Sequence, residues 1–260
     1  MVVVSGLPAP KGVAGVIVRR WDREAPRPRG ALVFVDQEGG GVRAFPSLPP
    51  ALPASAYRSA PEAFRAGRDT GAALRRAGVD VDFAPVLDGR DGPLGSRHFR
   101  SQALGVAFGR GLLASGAGAC AKHFPGLGST PASTDEARVE GTVRRWEVAG
   151  FATRRFPCVM VSHAIYPSLG TRRASLEPAT YRLLRAQGFD GVAITDSLGV
   201  LGSPYAPYWA RLAVRAGADL LLYTSGSDAA RAIRALLPLA RAGELDEHVA
   251  RVLRFRRALR

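Results

Sequence analysis

The sequence predicts an α/β fold, a single (β/α)8 TIM-type barrel over residues 1–260 that lacks its first one or two outer helices. Three observations carry this reading. Eight short apolar runs recur along the chain, helix-like stretches separate them from the third run onward, and polar residues close most of the later runs.

The runs are Val2–Ser5, Gly15–Arg19, Leu32–Val35, Val81–Phe83, Ala119–His123, Cys158–Ser162, Val192–Thr195 and Leu220–Tyr223. Most are continuously apolar, as parallel strands covered on both faces must be. The first two are joined by GLPAPKGVA, the second and third by WDREAPRPRG. Neither connection has the length or the propensity for a full helix, and the second is interrupted by proline. After the third run comes the Pro-rich loop FPSLPPALPASAY, a length of loop that often shapes a site. Helix-like stretches follow: APEAFRAGRDTGAALRRAG, SQALGVAFGRGLLASG, EPATYRLLRAQG, YWARLAVRAG and DAARAIRALLPLARAG. They end in Gly, as helix C-termini prefer. Strand then helix, repeated, argues a parallel α/β fold. Eight strands at this length argue a closed barrel over a doubly wound sheet.

Hydrophobic content of 47% and charged content of 22% are ordinary for a globular chain. No apolar run reaches about 18 residues, so no membrane-spanning helix is expected. The start, MVVVSGLPAPKG, has no basic region and does not read as a signal peptide. Cys120 and Cys158 lie in apolar runs and read as buried thiols rather than a disulfide framework, from which a cytoplasmic location is expected. The formal charge is +14, and Lys11 and Lys122 are the only lysines. The arginines are scattered without an aromatic platform, which argues a solvated basic surface and against nucleic acid as partner. The histidines are His98, His123, His163 and His248, with no pair at metal-ligand spacing. No Walker loop and no GxGxxG follows a strand, so neither metal nor cofactor is expected. Oligomeric state is not legible.

Chemistry in such a barrel sits at the C-terminal ends of its strands. There the sequence places DQEGG from Asp36, then Asp88 and Arg97, then Lys122-His123, Ser162-His163, Thr195-Asp196-Ser197 and Tyr223-Thr224-Ser225. Taken singly, an Asp after a strand reads as a helix N-cap and a His as a structural residue. Together they predict polar groups converging on one mouth, which a scaffold barrel does not need.

The stretches VDQEGGGV, VDFAPVLD, GSRHF, AKHFPGLG, VMVSHAIYPSLG, LLRAQGFDGVAITDSL and AGADLLL run in this order from about residue 31 to 223. This series resembles glycoside hydrolase family 3, and within it the bacterial single-domain β-N-acetylglucosaminidases. The resemblance implies a single N-terminal-type barrel domain and retaining hydrolysis of a β-glycoside, in which a carboxylate attacks the anomeric carbon and the covalent glycosyl-enzyme is then hydrolysed. It implies Asp196 as that nucleophile. It assigns Asp36, Arg97, Lys122 and His123 to gripping sugar hydroxyls, and His163 to a position near the sugar. A small carbohydrate of the N-acetylglucosamine type is the implied ligand.

One departure matters. In the single-domain enzymes the loop after KHFPG carries an Asp-Ser-His triplet whose His is the general acid/base. Here the triplet aligns with Ser133-Thr134-Asp135, and the second His of the family's KHFPGHG is Leu127. Three readings stay open. Asp135 or Glu136 takes over proton transfer; the protein acts on activated substrates; or it is a sugar-binding pseudoenzyme. Loss of a general acid costs about 10² to 10⁴ in rate rather than all catalysis.

Overall fold

The computed structural model describes residues 1–151 and 156–259. The apolar runs form β1 (Val2–Ser5), β2 (Gly15–Val18) and β3 (Leu32–Val35), then β6 (Val81–Asp82), β7 (Gly118–Phe124), β8 (Cys158–Val161), β9 (Val192–Thr195) and β10 (Leu221–Tyr223). Between β3 and β6 a small antiparallel hairpin, β4 (Gln37–Gly39) with β5 (Val42–Arg43), folds over the strand end. The eight main strands are parallel, in the order β10-β1-β2-β3-β6-β7-β8-β9. The ring closes between β9 and β10 through one bridge, Ile194 to Leu220. At this seam Thr195 N–H donates to Leu220 O at 3.0 Å, and Leu222 N–H donates to the Thr195 hydroxyl at 3.2 Å.

No helix follows β1 or β2, in agreement with the short and Pro-rich connections. Instead Asp22 ties these two loops together, accepting from Leu7 N at 2.9 Å and Arg19 N at 2.6 Å. From β5 onward the outer layer is α1 (Ala60–Arg76), α2 (Gln102–Ala114), α3 (Arg145–Phe151), α4 (Pro178–Ala186), α5 (Ala206–Ala216), α6 (Gly226–Arg241) and α7 (Asp246–Ala258). Ser59 caps α1 by accepting from Glu62 N at 3.4 Å, and a proline stands in the first helical turn. Helices α1 and α2 touch backbone to backbone. A Cβ on Gly67 would strike the Phe108 carbonyl, and one on Gly111 the Phe64 carbonyl. None of the described helices is long and apolar enough to cross a membrane.

Apolar residues fill two layers. One lies between strands and helices, with Val4, Val16, Leu74, Phe108, Phe124 and Tyr223 fully or almost fully buried. The other fills the barrel itself with Val3, Ile17, Phe34, Phe83, Cys120, Met160 and Leu222. Val252 and Phe255 of α7 join this second cluster. Helix α7 was not legible in the sequence, because its Arg-rich stretch offers few apolar positions.

The expectation of two free thiols is corrected. Cys120 and Cys158 are direct register partners on β7 and β8, with Cα atoms 4.4 Å apart, and form a disulfide of 2.03 Å. Pairing between strands 38 residues apart depends on register, which apolar runs do not reveal. The expected cytoplasmic location thereby loses its premise.

Candidate active site

The strand C-termini surround a cavity of about 420 Å³. Its charged wall is made by Asp36, Glu38, Arg97, Lys122, His123, Asp135 and Asp196. Its less polar wall includes Ile17, Phe83, Met160, Leu222 and Val200, with the hydroxyls of Ser5, Ser197 and Thr224. Six of the residues singled out in the sequence therefore meet at one place.

Lys122 leaves the end of β7 with its side chain almost fully buried. Its Nζ lies 2.7 Å from Asp36 Oδ1 and 2.7 Å from Glu38 Oε1. Burial pushes the ammonium down, but the two carboxylates outweigh it and hold Lys122 well above its ordinary value. Arg97 closes a fork on Glu38, donating from Nε at 2.7 Å and from its terminal nitrogen at 2.9 Å. Glu38 is thus the hub of the charged wall. Burial raises its carboxyl, yet Lys122 and Arg97 prevail and hold it at about 2. The sequence reading passed over Glu38 in favour of Asp36. The visible signal was the DQEGG turn itself, whose hairpin β4–β5 turns Glu38 inward while Asp36 stays half-exposed. Asp82, one strand over, is fully buried and pushed up to about 8 by that burial, so it adds no charge behind Lys122 at neutral pH.

His123 is fixed from behind. Its Nδ1–H donates to Asp88 Oδ2 at 2.7 Å, and Asp88 also accepts from the backbone N–H of His123 and of Leu127. Nε2 is the ring atom left to the cavity. Asp88 is drawn below its usual range, because the His123 ring and these N–H groups outweigh burial. Leu127, at the second His position of the motif, is buried in the core. The loop is pinned from below by Glu147, whose Oε1 accepts from Gly89 N at 2.8 Å and Gly128 N at 2.9 Å.

Asp196 follows β9, and its Oδ1 accepts from Ser197 N at 2.7 Å. Burial raises its carboxyl, but His163, His123 and that N–H draw it below the usual range, so it is ionised. Asp135 is exposed at the mouth. Desolvation, then the Asp196 charge, raises its carboxyl above the usual range. Of the triplet positions, Thr134 is buried and Ser133 Oγ accepts from Asp135 N at 3.3 Å. Glu136, the other carboxylate considered for proton transfer, is exposed and does not line the cavity.

His163, expected at a position near the sugar, does not line the cavity. It is fully buried, and both ring nitrogens are occupied. Nε2–H donates to Ser197 O at 2.9 Å, and the Ser175 hydroxyl pairs with Nδ1 at 2.6 Å. A carbonyl can only accept, so Nε2 carries a proton. Burial lowers its pKa. It sets the turn that presents Asp196.

The chain matches the model of the Glycosyl hydrolase family 3 N terminal domain over residues 17–255. It belongs to glycosyl hydrolase family 3. The β-hexosaminidase of Bordetella parapertussis is 33% identical over 234 residues, covering 76% of this chain and 65% of that protein. That of Stenotrophomonas maltophilia R551-3 is 34% identical over 231 residues, covering 76% and 68%. The chain therefore spans about two thirds of the length of these relatives. Among solved structures, a family 3 β-N-acetylglucosaminidase from Paenibacillus superposes with a TM-score of 0.88 at 27% identity, covering 99% of this chain and 61% of that one. A family 3 member from Mycobacterium smegmatis gives 0.84 at 27%, covering 98% and 94%.

Proposed function

We propose that this family 3 barrel is a retaining glycoside hydrolase for β-linked N-acetylglucosamine-type sugars, with Asp196 as nucleophile and Asp135 as acid/base. The observation that carries the proposal is the pair of carboxyls on one cavity wall with opposite bias. Asp196 is held ionised and Asp135 is pushed toward the protonated form. A retaining enzyme needs this division, an ionised carboxylate to attack the anomeric carbon and a carboxylic acid to protonate the leaving oxygen. Asp135 then withdraws the proton from water in the second step, and the water oxygen displaces the Asp196 carboxylate. Asp36, Arg97, Lys122 and the His123 Nε2 supply donors and acceptors for the sugar hydroxyls, and buried charged partners discriminate strongly for them. The relatives' names support the sugar class.

A second reading, a sugar-binding protein impaired in chemistry, draws on the exposure of Asp135, whose carboxylate makes no hydrogen bond among the described residues. Aryl and alkyl β-N-acetylglucosaminides separate the two. Turnover of both, lost in Asp196→Asn, supports the hydrolase. Saturable binding with no turnover of either supports the impaired form.

A further inference from the structure

Beside the catalytic cavity runs a second groove of about 350 Å³. The two adjoin at Val200, which lines both. Its composition is unlike the cavity's. Three arginines line it: Arg138, three residues beyond Asp135 on the same loop, and Arg172 and Arg173 from the loop after β8. Tyr208 and Trp209 from the first half of α5 form the opposite wall. None of the three guanidinium groups pairs with a carboxylate among the described residues, whereas the cavity arginine, Arg97, is clamped by Glu38. Arg173 donates to the His163 carbonyl at 3.3 Å, a neutral partner that leaves its charge uncompensated. Burial, then the neighbouring Arg138, lowers the Arg173 pKa, as expected of like charges gathered without a counter-charge. Trp209 is fixed by donating to Leu201 O at 3.1 Å and by edge contacts with Tyr205 and Tyr208, so the aromatic wall is preformed. Tyr208 remains half-exposed.

We infer that this groove is an oxyanion site for the leaving-group part of the ligand, in which Arg138, Arg172 and Arg173 take a carboxylate or phosphate while Tyr208 and Trp209 pack its apolar body. The juxtaposition of uncompensated planar cations with a fixed aromatic wall, adjoining the cavity at Val200, fits an anion on a flat or ring-shaped carrier. Guanidinium pairs with such oxyanions in a two-pronged geometry that lysine cannot reproduce. The chain's basic excess is otherwise spread over the surface, and here alone among the described cavities three arginines converge. The inference rests on the hydrolase reading for the identity of the ligand's other half, but not for the anion site itself.

Two measurements test it, and they fail separately. The first is calorimetric binding of phenyl phosphate, benzoate and inorganic phosphate to wild type and to the Arg138→Gln/Arg172→Gln double variant. Both residues are exposed, so the variant keeps the fold, which its circular dichroism verifies. Phenyl phosphate or benzoate binding in wild type, weakened about tenfold or more in the variant, is expected. Tighter binding of phenyl phosphate than of benzoate assigns a phosphate, and the reverse a carboxylate. Inorganic phosphate binding equally well identifies the anion without the aromatic wall and overturns that half of the inference. Equal binding of all three by wild type and variant, or no binding at millimolar concentration, overturns the whole. The second compares 4-carboxyphenyl with 4-methylphenyl β-N-acetylglucosaminide. Wild type is expected to show a KM about tenfold lower for the charged substrate, and the double variant to show no preference at unchanged kcat for the neutral one. Equal KM values in wild type overturn the leaving-group assignment. If neither glycoside turns over while arginine-dependent phenyl phosphate binding persists, the hydrolase reading falls and the anion site stands.

Discussion

Glu38→Gln is the most informative single change in the cavity. It keeps the side chain's shape and removes the charge that Arg97 and Lys122 share. Two routes give its cost. Removing one member of a buried ion pair costs about 3–5 kcal/mol. The lower end applies, because Arg97 keeps a side chain 28% exposed and Lys122 keeps Asp36. The second route is linkage. A carboxyl held at about 2 against an ordinary 4.5 contributes, at about 1.4 kcal/mol per pH unit, again about 3 kcal/mol. The sign follows from the depressed value. The contribution is fully present above pH 4.5 and is lost as pH falls toward 2. Urea denaturation followed by far-ultraviolet circular dichroism, with wild type and variant side by side, reads both features. The variant should be less stable by about 3 kcal/mol at pH 7, with roughly half of that gap gone by pH 3. A gap below about 1 kcal/mol at pH 7, or one that does not change between pH 6 and pH 3, would falsify the placing of Glu38 as the hub.

Four further outcomes are expected. Asp196→Asn should abolish turnover of aryl glycosides while leaving a ligand-induced rise in melting temperature; retained turnover would remove Asp196 from the mechanism. Asp135→Ala should slow alkyl glycosides by about 10² or more and activated aryl glycosides far less, with azide restoring part of the latter rate. On alkyl glycosides, wild-type rates should fall as pH rises through the raised Asp135 value, and the same profile in Asp135→Ala would exclude it as the acid. Gly67→Ala should destabilise by about 1–3 kcal/mol in thermal or urea melts, since the clash with the Phe108 carbonyl overrides the roughly 1 kcal/mol that Ala gains over Gly in a helix; a stabilised variant would contradict the α1–α2 contact.

How much of this was legible in the sequence follows from what each feature depends on. The strands were readable because burial on both faces leaves continuous apolar runs, and the absent helices because GLPAPKGVA and WDREAPRPRG cannot form them. The polar strand ends gave the wall residues Asp36, Arg97, Lys122, His123 and Asp196. Glu38 was missed because its burial depends on the short hairpin, whose two strands are too brief to leave a pattern. The orientation of His163 was not legible because a strand-end histidine can face the mouth or the turn behind it, and only its bonds to Ser175 and Ser197 decide. The disulfide was missed because it reports register between neighbouring strands. Arg138, Arg172 and Arg173 looked like any others of a scattered arginine population until the loops after β7 and β8 came together.

The β9–β10 seam bears on how the barrel breathes. Elsewhere adjoining strands share runs of ladder bonds, but here closure rests on the Ile194–Leu220 bridge, with a side-chain hydroxyl of Thr195 replacing one carbonyl. Amide protection follows the local cost of opening, so hydrogen exchange at Leu222 should outpace that at the β7–β8 and β8–β9 amides. Asp196 sits one residue beyond Thr195, at the end of that seam. The ring can therefore loosen beside Asp196 while the disulfide-joined β7–β8 pair, which carries Lys122 and His123, keeps its register. The β9–β10 side of the mouth is thus expected to open more readily than the side that the disulfide joins.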